Sequence, residues 1–155
     1  VNKGVSGPEA VEAGKRVVAA GMKLSIMIIL SLAGVEGSDR HARETAKAIN
    51  EIKPNMLSAI TLMLYRGSEL LDQYERGEFA PLNPQGIMLE LHKIISLVEL
   101  PPESHCLFRS NHVSNYVQLA ATLPKEKDRL LRQIAQAADE LGKWKDWDVY
   151  NNSRY

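Results

Sequence analysis

The feature that most constrains this sequence is the apolar run over residues 24–30, which is rich in isoleucine and interrupted only by Ser25. Apolar and polar residues do not alternate in it, a pattern typical of a strand covered on both faces in a parallel sheet. A loop of mostly small residues follows at 33–37. We therefore predict a buried strand over residues 23–32.

The run is flanked by helix signals and then repeated. Ser6 and Glu9 form a capping box that predicts a helix over residues 8–20. Ser38 or Asp39 is expected to cap a second helix, and a second apolar run at 56–64 predicts a second strand. Alternating helices and strands are typical of a parallel sheet. Two strands alone leave open edges, so we expect missing strands or another chain to complete the sheet.

The second part of the chain is predicted to be mostly helical. We expect residues 1–67 to form part of an α/β barrel, and residues 68–155 to form a helical C-terminal extension packed on it as one compact unit. Its predicted elements are helices at 68–76, from 83 to about 100, from about 114 and from about 123, and a short third strand at 106–109. The tail beyond Lys143 carries Trp144 and Trp147 and is expected to dock.

Composition excludes several classes of function. Nineteen basic residues balance nineteen acidic ones in 155 residues, which argues against binding of nucleic acid or membrane surfaces by bulk charge. Cys106 is the single cysteine, so the chain alone can form neither an intramolecular disulfide nor a cysteine-held iron–sulfur cluster. The histidines lack the spacing of a metal site, and no metal ligand is predicted. With no signal peptide or membrane-spanning run, the expected compartment is the cytoplasm.

A polar segment at residues 108–116 is the strongest candidate for a substrate site. Arg109 could bind a carboxylate or phosphate, and His112 could act as an acid or base. Amides and a phenol complete the set, whose members are Arg109, Asn111, His112, Asn115 and Tyr116. The alternative is a polar turn with a helix cap at Ser114. A nucleophilic pair of Cys106 and His112 is a further alternative, but an ordinary strand cysteine is the simpler interpretation.

Three stretches together resemble the radical S-adenosylmethionine enzymes, which include iron–sulfur oxidoreductases. They are residues 28–34, residues 52–64, and residues 108–116 followed by Leu123, Pro124 and Lys125. The resemblance covers roughly residues 1–140. It implies a partial (β/α) barrel, usually of six strands, in which three cysteines of a Cys-x-x-x-Cys-x-x-Cys loop hold a [4Fe–4S] cluster that binds S-adenosylmethionine. Because that loop is missing here, the chain resembles the last two or so strands of such a barrel and the helical extension behind them.

The resemblance also implies roles for individual residues. In the family the fifth strand often ends in Gly-x-Ile-x-Gly-x-x-Glu; Ile29 matches the isoleucine, Ser31 replaces the second glycine, and Gly34 stands in place of the glutamate. Met27, Ile29 and Ser31 would then bind the adenosyl group, and Leu62 and Met63 would approach adenine. The 109–116 segment would lie near the barrel mouth and shape the substrate site.

These observations lead to three hypotheses. The first is a fragment of a radical S-adenosylmethionine enzyme that is inactive alone and whose partner is the missing N-terminal half. S-adenosylmethionine and the cluster would be cofactors of the full-length protein, with neither bound to this chain by itself. The second is a non-enzymatic α/β binding or assembly module whose sheet a partner chain completes. The third is a phosphate-recognising hydrolase that uses Arg109 and His112. Open strand edges also predict self-association.

Overall fold

The computed structural model describes residues 4–144 and 147 of the chain. The elements, in chain order, are α1 (Gly7–Ala19), β1 (Ser25–Leu30), α2 (Gly34–Ile52), β2 (Met56–Thr61), α3 (Glu69–Glu75), α4 (Pro84–Leu97), β3 (Cys106–Ser110), β4 (Leu119–Leu123) and α5 (Lys127–Leu141). The fold is α/β, and the predicted alternation of helices and strands in the first part is confirmed.

A single four-stranded sheet runs through both parts of the chain. Its order is β1-β2-β3-β4; the first three strands are parallel, and β4 is antiparallel to β3. The sheet therefore continues past residue 67, because β3 pairs directly with β2. The second part is thus less helical than predicted, since it supplies half of the strands.

The core lies between one face of the sheet and the helices α2, α4 and α5. On that face alternate strand residues are buried, with Ile26 partly so, as expected for a sheet with a helical layer on one side. The largest fully buried side chains there include Leu30, Leu57, Phe108 and Leu123, and the facing helices bury Leu91, Ile94, Leu130 and Ile134. α1 packs on α2 and contains no fully buried residue.

The prediction that the apolar strands are covered on both faces is wrong. In β1, Ile28 and Leu30 are buried, whereas Met27 is 63% exposed. Met56 in β2 and Leu107 in β3 are also exposed. Apolar residues therefore occupy both faces of these strands, although only one face carries a helical layer among the residues that the structure describes.

Several helix starts differ from the predictions. The capping box at Ser6 and Glu9 is confirmed. α2, however, begins at Gly34, before the predicted cap, and the Ser38 hydroxyl instead hydrogen-bonds to a carboxylate on α4.

The 114–123 region differs as well. The helix predicted near Ser114 is absent, because alternate residues Leu119, Ala121 and Leu123 are buried and form β4. Since Leu123 ends that strand, α5 starts only at Lys127.

Candidate functional site

The uncovered face of the sheet brings together residues from three strands. Register places Met27, Ser58 and Arg109 in one row across β1, β2 and β3. Ile29 and Ile60 form the next row towards the carboxyl ends of the strands. Because side chains alternate along a strand, both rows lie opposite the buried core positions. The result is an apolar surface with one guanidinium group at its side. We call this surface the open face; its residues are Met27, Ile29, Ser58, Ile60 and Arg109.

The predicted cofactor residues divide between this surface and the strand ends. Met27 and Ile29 belong to the open face, whereas Ser31 is 1% exposed and follows the end of β1. The Ser31 hydroxyl accepts a hydrogen bond from the Leu82 N–H at 2.8 Å, which holds its side chain beneath the 80–82 segment. The Ser31 hydroxyl therefore helps to hold the 80–82 segment at the end of the strand.

A small cavity lies beyond the carboxyl ends of β1 and β2, where ligands commonly bind in α/β folds. It is lined by Ser31, Thr61, Leu62, Met63, Leu64, Pro81, Leu82, Ile87, Tyr116 and Trp147. Its volume is about 20 Å³, whereas ligand pockets are typically roughly 300–1,000 Å³. The cavity has room for a water molecule, so a nucleoside-sized ligand would have to lie on the open face or displace Tyr116 and Trp147.

The polar turn between β3 and β4 is tied to the end of β2. The Asn115 side-chain amide donates to the Ala59 carbonyl at 2.8 Å and to Ser110 Oγ at 3.0 Å, and its oxygen accepts from Thr61 Oγ1 at 3.1 Å. Ser114 Oγ accepts from the Thr61 N–H at 3.2 Å. These contacts give Asn115 and Ser114 structural roles and place the turn at the carboxyl edge of the sheet.

His112 is oriented by the same turn. Its Nδ1 accepts a hydrogen bond from the Ser114 N–H at 3.1 Å and lies 2.8 Å from Ser114 Oγ. A ring nitrogen that accepts from a backbone N–H carries no proton, so Nε2 holds the proton of the neutral ring. Ser114 is buried, which makes it unsuitable as a nucleophile towards a ligand.

The other predicted substrate residues occupy different surroundings. Arg109 is exposed on the open face, and its Nη1 donates to the Phe108 carbonyl at 2.8 Å. Asn111 is exposed in the turn.

Tyr116 is half-buried, and its hydroxyl accepts from Trp147 Nε1 at 2.9 Å. Burial raises the pKa of Tyr116, with the Trp147 hydrogen bond acting in the opposite direction. Trp147 and the edge of Trp144 both contact Tyr116, as expected for a docked tail, but residues 145, 146 and 148–155 lie outside the described part.

Cys106 and His112 do not form a nucleophilic pair. Cys106 begins β3 and His112 follows its end, so the strand holds them apart by about 13 Å at roughly 3.3 Å per residue. The Cys106 side chain is fully buried, and desolvation raises the pKa of its thiol to about 11. The simpler interpretation of an ordinary strand cysteine is the one that the structure supports.

Glu90 is a residue that the sequence analysis missed. It lies on α4 and is 3% exposed, and its carboxylate accepts from the Ser31 N–H at 2.7 Å and the Ser38 hydroxyl at 2.8 Å. His41 Nδ1 lies 3.2 Å away. A signal existed in the sequence: Glu90 stands three residues after Ile87 and four before Ile94, on the apolar stripe of its helix.

The described residues, 4–144 and 147, contain no group of three or more histidine, cysteine, aspartate or glutamate side chains suited to hold a metal ion. None of their helices combines the length and apolar character needed to cross a bilayer.

Comparison with known proteins assigns no family to the chain. No family model matches it, and no curated protein matches it significantly.

Proposed function

We propose that this chain is the C-terminal part of a radical S-adenosylmethionine enzyme and supplies the wall against which the adenosyl group packs. The open face is the observation that carries the proposal. The resemblance assigns this contact to Met27 and Ile29. Both lie on the same face of β1, on an apolar sheet surface with no described helix over it. A partial (β/α) barrel uses this side of its strands as the lining of the barrel.

The two cofactors of the family fit this chain unequally. An iron–sulfur cluster does not fit, because Cys106 is the only cysteine and is buried in the core with its pKa raised. The thiolate ligands would therefore belong to the missing N-terminal half, which we propose as the partner that completes the sheet beside β1. The adenosyl group fits the open face, since adenine packs well against exposed aliphatic and thioether side chains.

The substrate would bind at the carboxyl edge of the sheet. Arg109 is the basic residue of the open face, and its guanidinium could orient a substrate carboxylate or phosphate by paired hydrogen bonds. His112, Asn111 and the Asn115–Tyr116 turn line the same edge. In this proposal the parent protein is the enzyme, an oxidoreductase, and this chain alone has no turnover. A free cysteine is compatible with the reducing cytoplasm that we propose as its compartment.

Binding of S-adenosylhomocysteine, a stable adenosyl compound, tests the proposal. Methyl NMR of the full-length protein should show shifts of the Met27 and Ile29 methyl groups that saturate with ligand, while the Met88 methyl in the core stays unchanged. Shifts at Met88 of equal size, or none at Met27 and Ile29, would overturn it. Reading the coding sequence upstream of Val1 is the independent check: it should contain the Cys-x-x-x-Cys-x-x-Cys motif.

A binding or assembly module is the second candidate, and the outer edge of β1 favours it. No described strand pairs with that edge, and a cleft of about 360 Å³ runs along residues 27–29 between β1 and the start of α1. An extended segment of another chain could add a strand there through main-chain hydrogen bonds. An upstream coding sequence without the Cys-x-x-x-Cys-x-x-Cys motif, together with a full-length protein that does not bind S-adenosylhomocysteine, would favour this candidate.

A further inference from the structure

The turn that follows β1 is held in a strained conformation. Ser31 has a φ of 69°, in the left-handed region, which is strained for a residue with a side chain. Gly34 has a φ of 64°, and a Cβ placed there would lie 2.8 Å from the Ala80 carbonyl oxygen. The Val35 N–H donates to that same oxygen at 2.8 Å. Such strain persists only where surrounding contacts hold it.

Glu90 supplies the main side-chain contact that holds this turn. Its two carboxylate oxygens divide between the residue that follows β1 and the beginning of α2: Oε2 accepts from the Ser31 N–H, and Oε1 accepts from the Ser38 hydroxyl. His41 lies beside Oε1. Burying a carboxylate is costly unless hydrogen bonds compensate, and here all the compensating partners belong to the turn and to the first turns of α2.

The braced turn borders the surface to which we assign the adenosyl group. Ser31 follows β1 two residues after Ile29 and lines the cavity at the strand end together with Leu62 and Met63. A shift of the Ser31 backbone would therefore move both the cavity wall and the end of the strand that carries Ile29.

We infer that Glu90 is a positioning residue for the adenosyl site: through the Ser31 N–H it holds the strained end of β1 in the conformation that the ligand contacts. The inference rests on the proposed function. It predicts that loss of the Glu90 charge weakens adenosyl binding although Glu90 itself lies behind the sheet, among the helices.

The test compares Glu90→Gln with Glu44→Gln in the full-length protein. Both variants replace a carboxylate by an amide of the same shape, but Glu44 is exposed on α2, whereas the Glu90 side chain accepts the hydrogen bond from the Ser31 N–H. We expect exchange of the Ser31 amide hydrogen to accelerate by about tenfold or more in Glu90→Gln only, because a neutral amide oxygen is a weaker acceptor than a carboxylate. Affinity for S-adenosylhomocysteine should fall by a similar factor in Glu90→Gln and stay unchanged in Glu44→Gln.

Each outcome decides the inference. Equal loss of affinity in both variants, or an unchanged Ser31 amide in Glu90→Gln, would overturn it. If the full-length wild-type protein does not bind S-adenosylhomocysteine while the Ser31 amide responds as expected, the bracing role stands and the adenosyl ligand is wrong. If Glu90→Gln does not fold, the wild-type protein still tests the inference, because its Ser31 amide must be as protected from exchange as the amide of Leu30.

Discussion

The side-chain amide of Asn115 donates to the main-chain carbonyl of Ala59 across 2.8 Å and so fastens the β3–β4 turn to the second strand of the sheet. The same side chain also contacts Ser110 and Thr61. One residue of the polar 108–116 segment therefore joins the turn to two strands, β2 and the end of β3, which makes it part of the framework of the candidate site.

Asn115→Ala should destabilise the protein, because it removes three hydrogen bonds and leaves the Ala59 carbonyl without this donor. The expected loss in free energy of unfolding is about 1–3 kcal/mol, measured by urea denaturation. Asn111→Ala is the matched control: its side chain is exposed, and the change should stay within about 0.5 kcal/mol. Similar losses in both variants would contradict the structural role assigned to Asn115.

Arg109→Ala should impair function more than folding. The side chain is exposed on the open face and hydrogen-bonds to a neighbouring carbonyl of its own strand, so the melting temperature should change little. Turnover of the full-length protein with its substrate should fall because the guanidinium is lost from the carboxyl edge. Arg132→Ala, on the exposed side of α5, is the control and should leave turnover unchanged. A variant with a lower melting temperature but unchanged turnover would show that Arg109 has a structural role.

The isolated chain should self-associate, because its open face and the outer edge of β1 expose apolar side chains. Light scattering at tens of micromolar should give a mass above that of the monomer. Met27→Lys should reduce this association, whereas Leu89→Lys should not, since Leu89 is similarly exposed but lies on α4. A monomer in the wild-type chain would count against the prediction.

Cys106 should resist thiol reagents in the folded protein. Its side chain is fully buried, and a pKa of about 11 leaves almost no thiolate at pH 8. Labelling with iodoacetamide should therefore be negligible in buffer and complete in denaturant, as followed by mass spectrometry. Rapid labelling of the native chain would show that β3 opens readily or that the thiol is accessible.

Glu126 should make stability depend on pH in the acid range. Its hydrogen bond from the Thr122 N–H, and secondly its contact with Arg129, lower the pKa of this carboxyl from 4.5. A lowered pKa in the folded state adds stability that is present above 4.5 and is lost as the pH falls through the folded-state value. Denaturant unfolding of Glu126→Gln should therefore differ from wild type near neutral pH and approach it in acid. Arg129→Gln should retain most of the pH dependence, because the hydrogen bond from the Thr122 N–H, which is the larger cause of the lowered pKa, remains.

Local patterns predicted most of the elements but not their surroundings. The capping box at Ser6, the helix that starts after Asn83 and the strand at Cys106 are confirmed, because each depends on residues within a few positions of one another. The helix expected near Ser114 was wrong because Ser114 and Asn115 bond to β2, more than fifty residues away in the chain. Such distant partners leave no periodic signal in the sequence.

The candidate site shows the same division between local and distant interactions. Met27 and Ile29 could be placed on one face of a strand from their spacing alone. That this face lacks a described helical layer depends on where α2, α4 and α5 pack. Glu90 was overlooked because its partners, Ser31 and Ser38, lie more than fifty residues earlier.

The sequence by itself therefore determined the α/β class, the positions of most helices and strands, and the absence of enough cysteines to hold a cluster. Those properties follow from hydrophobic periodicity, capping and composition, which act over a few residues. Only the tertiary structure decided that one sheet joins both parts of the chain, that one of its faces carries no helical layer among the described residues, and that Glu90 hydrogen-bonds to the residue after β1. These features depend on which distant segments pack together, because burial and hydrogen-bond satisfaction are properties of the whole fold.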